Sequence, residues 1–323
     1  MNRRNWINTA LAAIALASPA LALAQAYPSQ TIRLVVPWPP GGGVDTAARI
    51  IAAPLAQRLG QSIVVENKAG AGGNIGTEVA ARAKPDGYTL LMGSVSPNAI
   101  NPYLYAKLPF DPAKDFAGIG LVASVPNVLV VPANSKANSV ADLIAMAKAN
   151  PGKLNYASGG VGSSQHLAAE MLKKSAGLEM MHIPYKGTSP AEIGLMGGEV
   201  DLLLDTTACL PHVAAGKMKA LAVASRGRNP ALPNVPTFDE AGVSGVYSGA
   251  WYGLMAPAGT PRDIVEKLNR ELMAVLASPE VKKKMFDFGA EIGTGSADDF
   301  GKFMLSEIAR YAEIVRLSGA KIQ

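Results

Sequence analysis

Two glycine-rich stretches hold the residues whose types and spacing could do chemistry. The first reads Pro37-Trp38-Pro39-Pro40-Gly41-Gly42-Gly43-Val44-Asp45, and the second reads Ser158-Gly159-Gly160-Val161-Gly162-Ser163-Ser164-Gln165-His166. Each follows a short β-like run, 31–36 or 153–157, and leads into residues with helical apolar spacing. A strand that turns through glycines into a helix start leaves several backbone N–H groups unpaired, at the positive end of the helix dipole. Such a place suits an anion, either a phosphate or a carboxylate. The two copies lie roughly 120 residues apart, an arrangement fit to grip one anion from two sides. The chemistry implied is capture rather than turnover.

The neighbouring side chains admit functional and structural readings. Pro40 enters the first turn, and Gly41, Gly42 and Gly43 permit the close backbone approach an anion needs. Trp38 either covers a ligand's carbon skeleton at a cleft mouth or packs beneath the loop. Asp45, in the first helical turn, either accepts from free N–H groups of its own helix or touches a ligand hydroxyl or amine. In the second loop Gly162 plays the glycine role, while Ser158, Ser163 and Ser164 offer hydroxyls for anion binding or for capping. His166 is expected as a buried, hydrogen-bonded support rather than a general base. Ser163 or Ser164 with His166 would suit a secreted hydrolase, but the turn is not Gly-x-Ser-x-Gly and no triad order is legible.

Other nucleophile, metal and phosphate signatures are missing. His166, His182 and His212 share no ligand spacing with cysteines or carboxylates, so no metal and no cofactor is expected. Lys186 has no Walker-type context. A third strand-to-helix junction, Pro184-Tyr185-Lys186-Gly187-Thr188-Ser189-Pro190, places Ser189 at an N-cap and Pro190 at the first helical position. There Tyr185 would wall a cleft and Lys186 would face solvent. Asp205 closes the run 201–204 at a strand's carboxyl end, the end that faces the ligand crevice in open α/β sheets. Ser94 and Asn98 follow the run 88–93 in the same way.

These turns must be held by a larger framework. Strand-like runs at 31–36, 62–66, 88–93, 128–131, 153–157, 181–184, 201–204 and 219–224 alternate with helical patterns near 44–59, 75–83, 140–149, 164–174, 190–197 and 206–215. Alternation of this kind predicts an α/β fold with mainly parallel sheet covered by helices. The last third reads as three helices, 261–277, 279–288 and 297–317, with Thr260-Pro261 and Ser278-Pro279 as N-cap and first-position pairs. A helix-rich tail with no strand-rich unit of its own is expected to pack back on the first unit. Crossings then fall near 124–127 and 249–251, giving lobe 1 as 27–126 with 250–323 and lobe 2 as 127–249. Two lobes joined twice can close on a ligand.

The N-terminus reads as a signal peptide over residues 1–26. Arg3 and Arg4 precede an apolar run at 10–23, and Ala24-Gln25-Ala26 offers a small-x-small cleavage site. Cleavage near Ala26 would leave roughly 300 residues with a formal charge near +3, enough for two domains and no nucleic-acid footprint. The Lys282-Lys283-Lys284 run reads as a solvated helix face. Cys209 is the one cysteine of the chain, so an exported protein must rely on core burial rather than an internal disulfide.

Taken together the motifs resemble a known group. Pro37 to Asp45 with Ala48-Arg49, Glu66-Asn67-Lys68-Ala69-Gly70-Ala71-Gly72-Gly73, Lys84-Pro85-Asp86-Gly87-Tyr88, Ala99-Ile100-Asn101-Pro102, Leu108-Pro109-Phe110-Asp111-Pro112 and Pro184-Tyr185-Lys186-Gly187 occur in order. With them the chain is similar to the periplasmic solute-binding receptors of tripartite tricarboxylate transporters, the Bug family. The resemblance implies a two-lobed periplasmic binding protein fold of type II, a Venus flytrap that is monomeric and not an enzyme. It implies a ligand carboxylate between the helix starts at 41–44 and 162–164, partly through water. The ligand would be an amino acid, a dicarboxylate or an aromatic acid, and the partners the transporter's membrane permease subunits. Signalling to a membrane sensor is the alternative role. Two positions depart from the family pattern: Asn98, where members often carry His, and Gly194, where Asp is common.

Overall fold

A computed structural model describes residues 27–318, so the expected leader at 1–26 lies outside the described residues. The strands are, in chain order, β1 (Ile32–Val36), β2 (Ile63–Asn67), β3 (Thr89–Ser94), β4 (Phe116–Pro126), β5 (Val128–Pro132), β6 (Asn155–Ser158), β7 (Met181–Pro184), β8 (Leu202–Asp205), β9 (Met218–Val223), β10 (Gly249–Pro257) and β11 (Glu291–Ile292). The helices are α1 (Gly43–Leu59), α2 (Asn74–Ala81), α3 (Val140–Ala149), α4 (Ser164–Ala176), α5 (Thr188–Met196), α6 (Leu210–Ala214), α7 (Arg262–Ala277), α8 (Pro279–Asp287) and α9 (Ala297–Ser318).

Two separate sheets result. One has the order β11-β4-β10-β3-β1-β2, the other β7-β6-β8-β5-β9. The expected parallel pairing holds only around the βαβ units: β1 with β2 and β3, and β6 with β7 and β8. Elsewhere the pairing is antiparallel, because β10 returns from the second sheet to lie between β3 and β4, and β5 enters the second sheet between β8 and β9. A strand that arrives from the other sheet is free of the crossover rule that makes βαβ strands parallel.

The chain passes between sheets at two adjacent points. Asn127 alone separates β4 from β5, and Ser248 immediately precedes β10. The two are tied together, with Asn127 N donating to Ser248 O at 2.9 Å and Ser248 N donating to Ala224 O at 3.0 Å. One core lies between the first sheet and its helices, and includes Val265, Leu268, Leu272, Met285, Phe300 and Tyr311 of the C-terminal helices. The tail therefore buries its apolar face on the first sheet. Separate clusters, including Leu129, Tyr156 and Leu172 on one face and Val130, Ala157 and Leu203 on the other, hold the second sheet.

The sequence reading places no strand at 116–126 or 249–257, because glycines interrupt the β-branched pattern of β4 and β10. Those glycines let helices sit close: a Cβ at Gly118 would meet Phe300 at 2.9 Å, one at Gly120 would meet Leu272 at 3.1 Å, and one at Gly253 would strike the Phe300 ring. Two expected caps also move. Pro261 occupies an N-cap rather than the first helical position, whereas Ser278 accepts from Val281 N with Pro279 next, as expected. Helix α5 starts at Thr188 with Gly187 as N-cap, so Ser189 lies in its first turn.

Candidate functional site

Three helix starts meet at a narrow cavity between the sheets. It is lined by Trp38, Pro39, Gly42, Gly43 and Val44 of the first loop, Ser94, Val95 and Ser96 after β3, and Ala250 and Tyr252 of β10. From the other side come Gly159, Ser163, Ser164, Gln165, Thr188 and Thr206. The starts of α1, α4 and α5 therefore all border one space. N-caps Gly42 and Gly187 supply no side-chain hydrogen bond, so the first N–H groups of α1 and α5 have no capping acceptor from these residues. Converging positive dipole ends make this space favourable for negative charge.

The first loop is braced from behind. Asp45 is buried, and its Oδ2 accepts from Gly41 N at 3.0 Å and Arg49 Nε at 2.9 Å, while Oδ1 accepts from Asn67 Nδ2 at 2.9 Å. Burial works to raise the Asp45 carboxyl, but these donors and the Arg49 charge outweigh it and hold it below the usual range. Its acceptor capacity is spent on the protein, and it does not line the cavity. Gly41 adopts φ +83°, a conformation glycine allows, and Pro40 O accepts from Ser189 Oγ at 3.2 Å, joining the first loop to the third. Trp38 forms part of the wall, with Nε1 donating to Ser94 Oγ at 2.9 Å. Asn98 is buried behind it, accepting from Ser94 N at 3.1 Å.

The second loop rests on a stack of three rings. Tyr156 and His182 lie 4.8 Å apart and His182 and His166 4.1 Å apart, nearly parallel. His166 Nδ1 accepts from Gly162 N at 3.4 Å, and His182 Nε2 lies 2.6 Å from Ser158 Oγ, which also accepts from Gly160 N. Burial lowers His166 to about 4 and His182 to about 3, so both are neutral at ordinary pH. Ser163 caps α4 by accepting from His166 N at 3.2 Å, and Ser163 and Ser164 border the cavity. Ser158 has no exposed surface, so the Ser158–His182 pair presents no nucleophile to a substrate.

Gln165 connects this loop to the floor. Its Oε1 accepts from Gly159 N, and its Nε2 donates to Asp205 Oδ1 at 2.7 Å and Thr188 Oγ1 at 3.1 Å. Asp205 is wholly buried beneath the cavity beside buried Glu192, and burial together with the Glu192 charge raises its carboxyl well above the usual range. Glu192 is raised by burial too, so ionising both carboxyls together is disfavoured. Tyr185 turns away from the cavity and donates to Glu199 Oε2 at 2.8 Å. Its ring fills the space over Gly194, where a Cβ would strike it.

Sequence reasoning thus named several residues that border the cavity (Trp38, Gly42, Gly43, Ser94, Ser163, Ser164) and several that lie behind it (Asp45, Asn98, Ser158, His166, Asp205). It missed Gln165, Thr188, Thr206 and Tyr252. Thr188 was legible as a helix start after Gly187. Tyr252 carries no local motif, since only the return of β10 brings it to the site.

Known proteins share this fold. The description "Tripartite tricarboxylate transporter family receptor" matches residues 47–319. Protein BugT of Bordetella pertussis is 39% identical over 302 residues, covering 93% of each chain. The solved structure of R. palustris Rpa4515 with adipate superposes with a TM-score of 0.89 at 38% identity, covering 92% of this chain and 100% of that one. MatC from Rhodopseudomonas palustris with bound malate gives 0.85 at 34% identity, covering 90% and 100%. The two-sheet architecture is that of the two-lobed periplasmic binding proteins of this type. With a matching profile across most of its length and relatives of this similarity, the chain belongs to the tripartite tricarboxylate transporter receptor family.

Proposed function

We propose that the protein is a periplasmic, non-enzymatic receptor that captures a small carboxylate between two lobes, 27–126 with 250–323 and 127–249, and delivers it to the membrane subunits of a tripartite tricarboxylate-type transporter. The observation that carries this reading is the convergence of the α1, α4 and α5 starts on one cavity. A carboxylate there is solvated by N–H groups that folding has already oriented. Adipate and malate in the related structures support a dicarboxylate as the ligand, with Trp38, Val44, Val95 and Tyr252 against its carbon chain. Gly42, Gly43, Ser163, Ser164 and Thr188 surround the carboxylate, and Asp45, His166 and Asp205 hold the loops in place.

The test is a thermal-shift series of adipate and malate against their diamides, preceded by native mass spectrometry of freshly purified protein. A bound acid at 100 times its dissociation constant stabilises by about 2.7 kcal/mol. An acid that raises the melting temperature while its diamide does not supports the reading. Equal shifts from acids and amides overturn it.

A further inference from the structure

A second, larger cavity opens on the opposite side of β10. Consecutive residues of a strand face opposite ways. Tyr252 points to the cavity between the helix starts, where its hydroxyl lies against Gly43. Trp251 points the other way, packing edge-on against Phe300 and Phe303 at 6.0 and 5.7 Å. On that side lies a groove of about 450 Å³, a size suited to a small organic molecule. One wall comes from the first sheet and α9, including Trp251, Phe303 and Glu291. The other comes from the segments around β9 and before β10, including Arg226 and Tyr247.

The charges in this groove are not balanced pair by pair. Arg228 is held by Glu240, and Arg310 by both oxygens of Glu307. Arg226 instead lies over the Tyr247 ring, 4.7 Å from its centroid, and among the described residues it has no ion-pair partner. Glu291, on the short edge strand β11, likewise has no cationic partner among the described residues. The groove therefore presents one uncommitted guanidinium, one uncommitted carboxylate and an aromatic floor. A molecule carrying a carboxylate, an ammonium and an apolar body complements all three.

We propose that this groove is a second ligand site, distinct from the cavity between the helix starts, for a zwitterionic amino acid with an apolar side chain. Arg226 takes its carboxylate, Glu291 its ammonium, and Trp251 and Phe303 its side chain. The site is independent of the carboxylate capture described above, and the two readings fail separately because a different tryptophan reports on each.

The experiment is ¹⁹F NMR of protein labelled with 5-fluorotryptophan, with the Trp38 and Trp251 resonances assigned by Trp→Phe substitution. The probes are free phenylalanine, 3-phenylpropionate without the ammonium, and phenethylamine without the carboxylate. Phenylalanine is expected to move the Trp251 resonance saturably, and each of the other two to bind there about tenfold or more weaker. Arg226→Ala and Glu291→Gln, both on exposed side chains, are each expected to weaken phenylalanine by about tenfold. The proposal is overturned if the Trp251 resonance does not respond, if the three probes act alike there, if neither substitution changes the midpoint, or if Trp38 alone responds.

Discussion

Gln165 Nε2 donates to Asp205 Oδ1 at 2.7 Å, and through that one contact the second glycine loop is bolted to the floor of the second sheet. The same amide oxygen accepts from Gly159 N, so both ends of the side chain are committed to the protein. Gln165 borders the cavity yet has no donor to spare for a ligand. Its work is to fix where Gly159 and the α4 start stand.

Replacing Gln165 by Leu removes its contacts to Gly159, Asp205 and Thr188 while keeping the volume. Gly159 N then loses its acceptor in a buried setting, at about 1–3 kcal/mol for a group left unsatisfied, while Asp205 Oδ1 keeps the bond from Thr206 N. Urea unfolding of Gln165→Leu is expected to show a loss in that range, and calorimetry with whichever dicarboxylate stabilises the parent is expected to show weaker binding. Unchanged stability would mean that the amide is not the bolt.

Much of this site was legible from residue types. A glycine turn between a strand and a helix is a local object, so the starts of α1 and α4 and the serines beside them followed from sequence alone. The placement of Asp45 behind the loop did not, because it depends on Asn67, which arrives from β2 22 residues later. Nor did the ring stack: His182 sits on β7, and only the parallel pairing of β6 with β7 brings it beside Ser158. Strands β4 and β10 were hidden by Gly118, Gly120 and Gly253, whose reason is the closeness of Leu272 and Phe300 rather than any strand propensity.

Gly43 has a different constraint from the positive-φ glycines. It is helical, but a Cβ there would run into the Tyr252 hydroxyl and lie 3.2 Å from Thr206 Oγ1. Gly43→Ala is therefore expected to push Tyr252 into the cavity and weaken dicarboxylate binding by about tenfold or more. Adding Tyr252→Phe takes away the colliding oxygen, so the double variant is expected to recover part of that loss. A double-mutant cycle by calorimetry reads the coupling. Strictly additive losses would show that the two positions act separately.

The ring stack makes stability depend on acid. Burial lowers His166 to about 4 and His182 to about 3, against an ordinary 6.5 in the unfolded chain. Between those values the unfolded chain binds protons that the folded chain refuses. The contribution of both histidines is therefore fully present above about pH 6.5 and is lost as pH falls toward 4. His182→Gln removes one of the two titrations and keeps a hydrogen-bonding group near Ser158. Chemical unfolding at several pH values is expected to give a shallower acid slope for the variant than for the parent. Parallel slopes would place the acid sensitivity elsewhere.

Asp205 titrates with the opposite sign, in a window that overlaps the histidine one. Its folded carboxyl is raised by burial and by Glu192, so its contribution is present below about pH 3.9 and is lost as pH rises through the folded value. Asp205→Asn mimics the protonated acid: its carbonyl can still accept from Gln165 and from Thr206 N, and its amide can donate to Glu192. Because both histidines remain in the variant, their share cancels in the difference between variant and parent. That difference is expected to be small near pH 4 and to move in favour of Asp205→Asn as pH rises and the buried Asp205 carboxyl of the parent is forced to ionise. Unfolding free energies measured in parallel from pH 4 to pH 9 decide it. A difference that stays flat across that range would show that folding does not raise the Asp205 carboxyl.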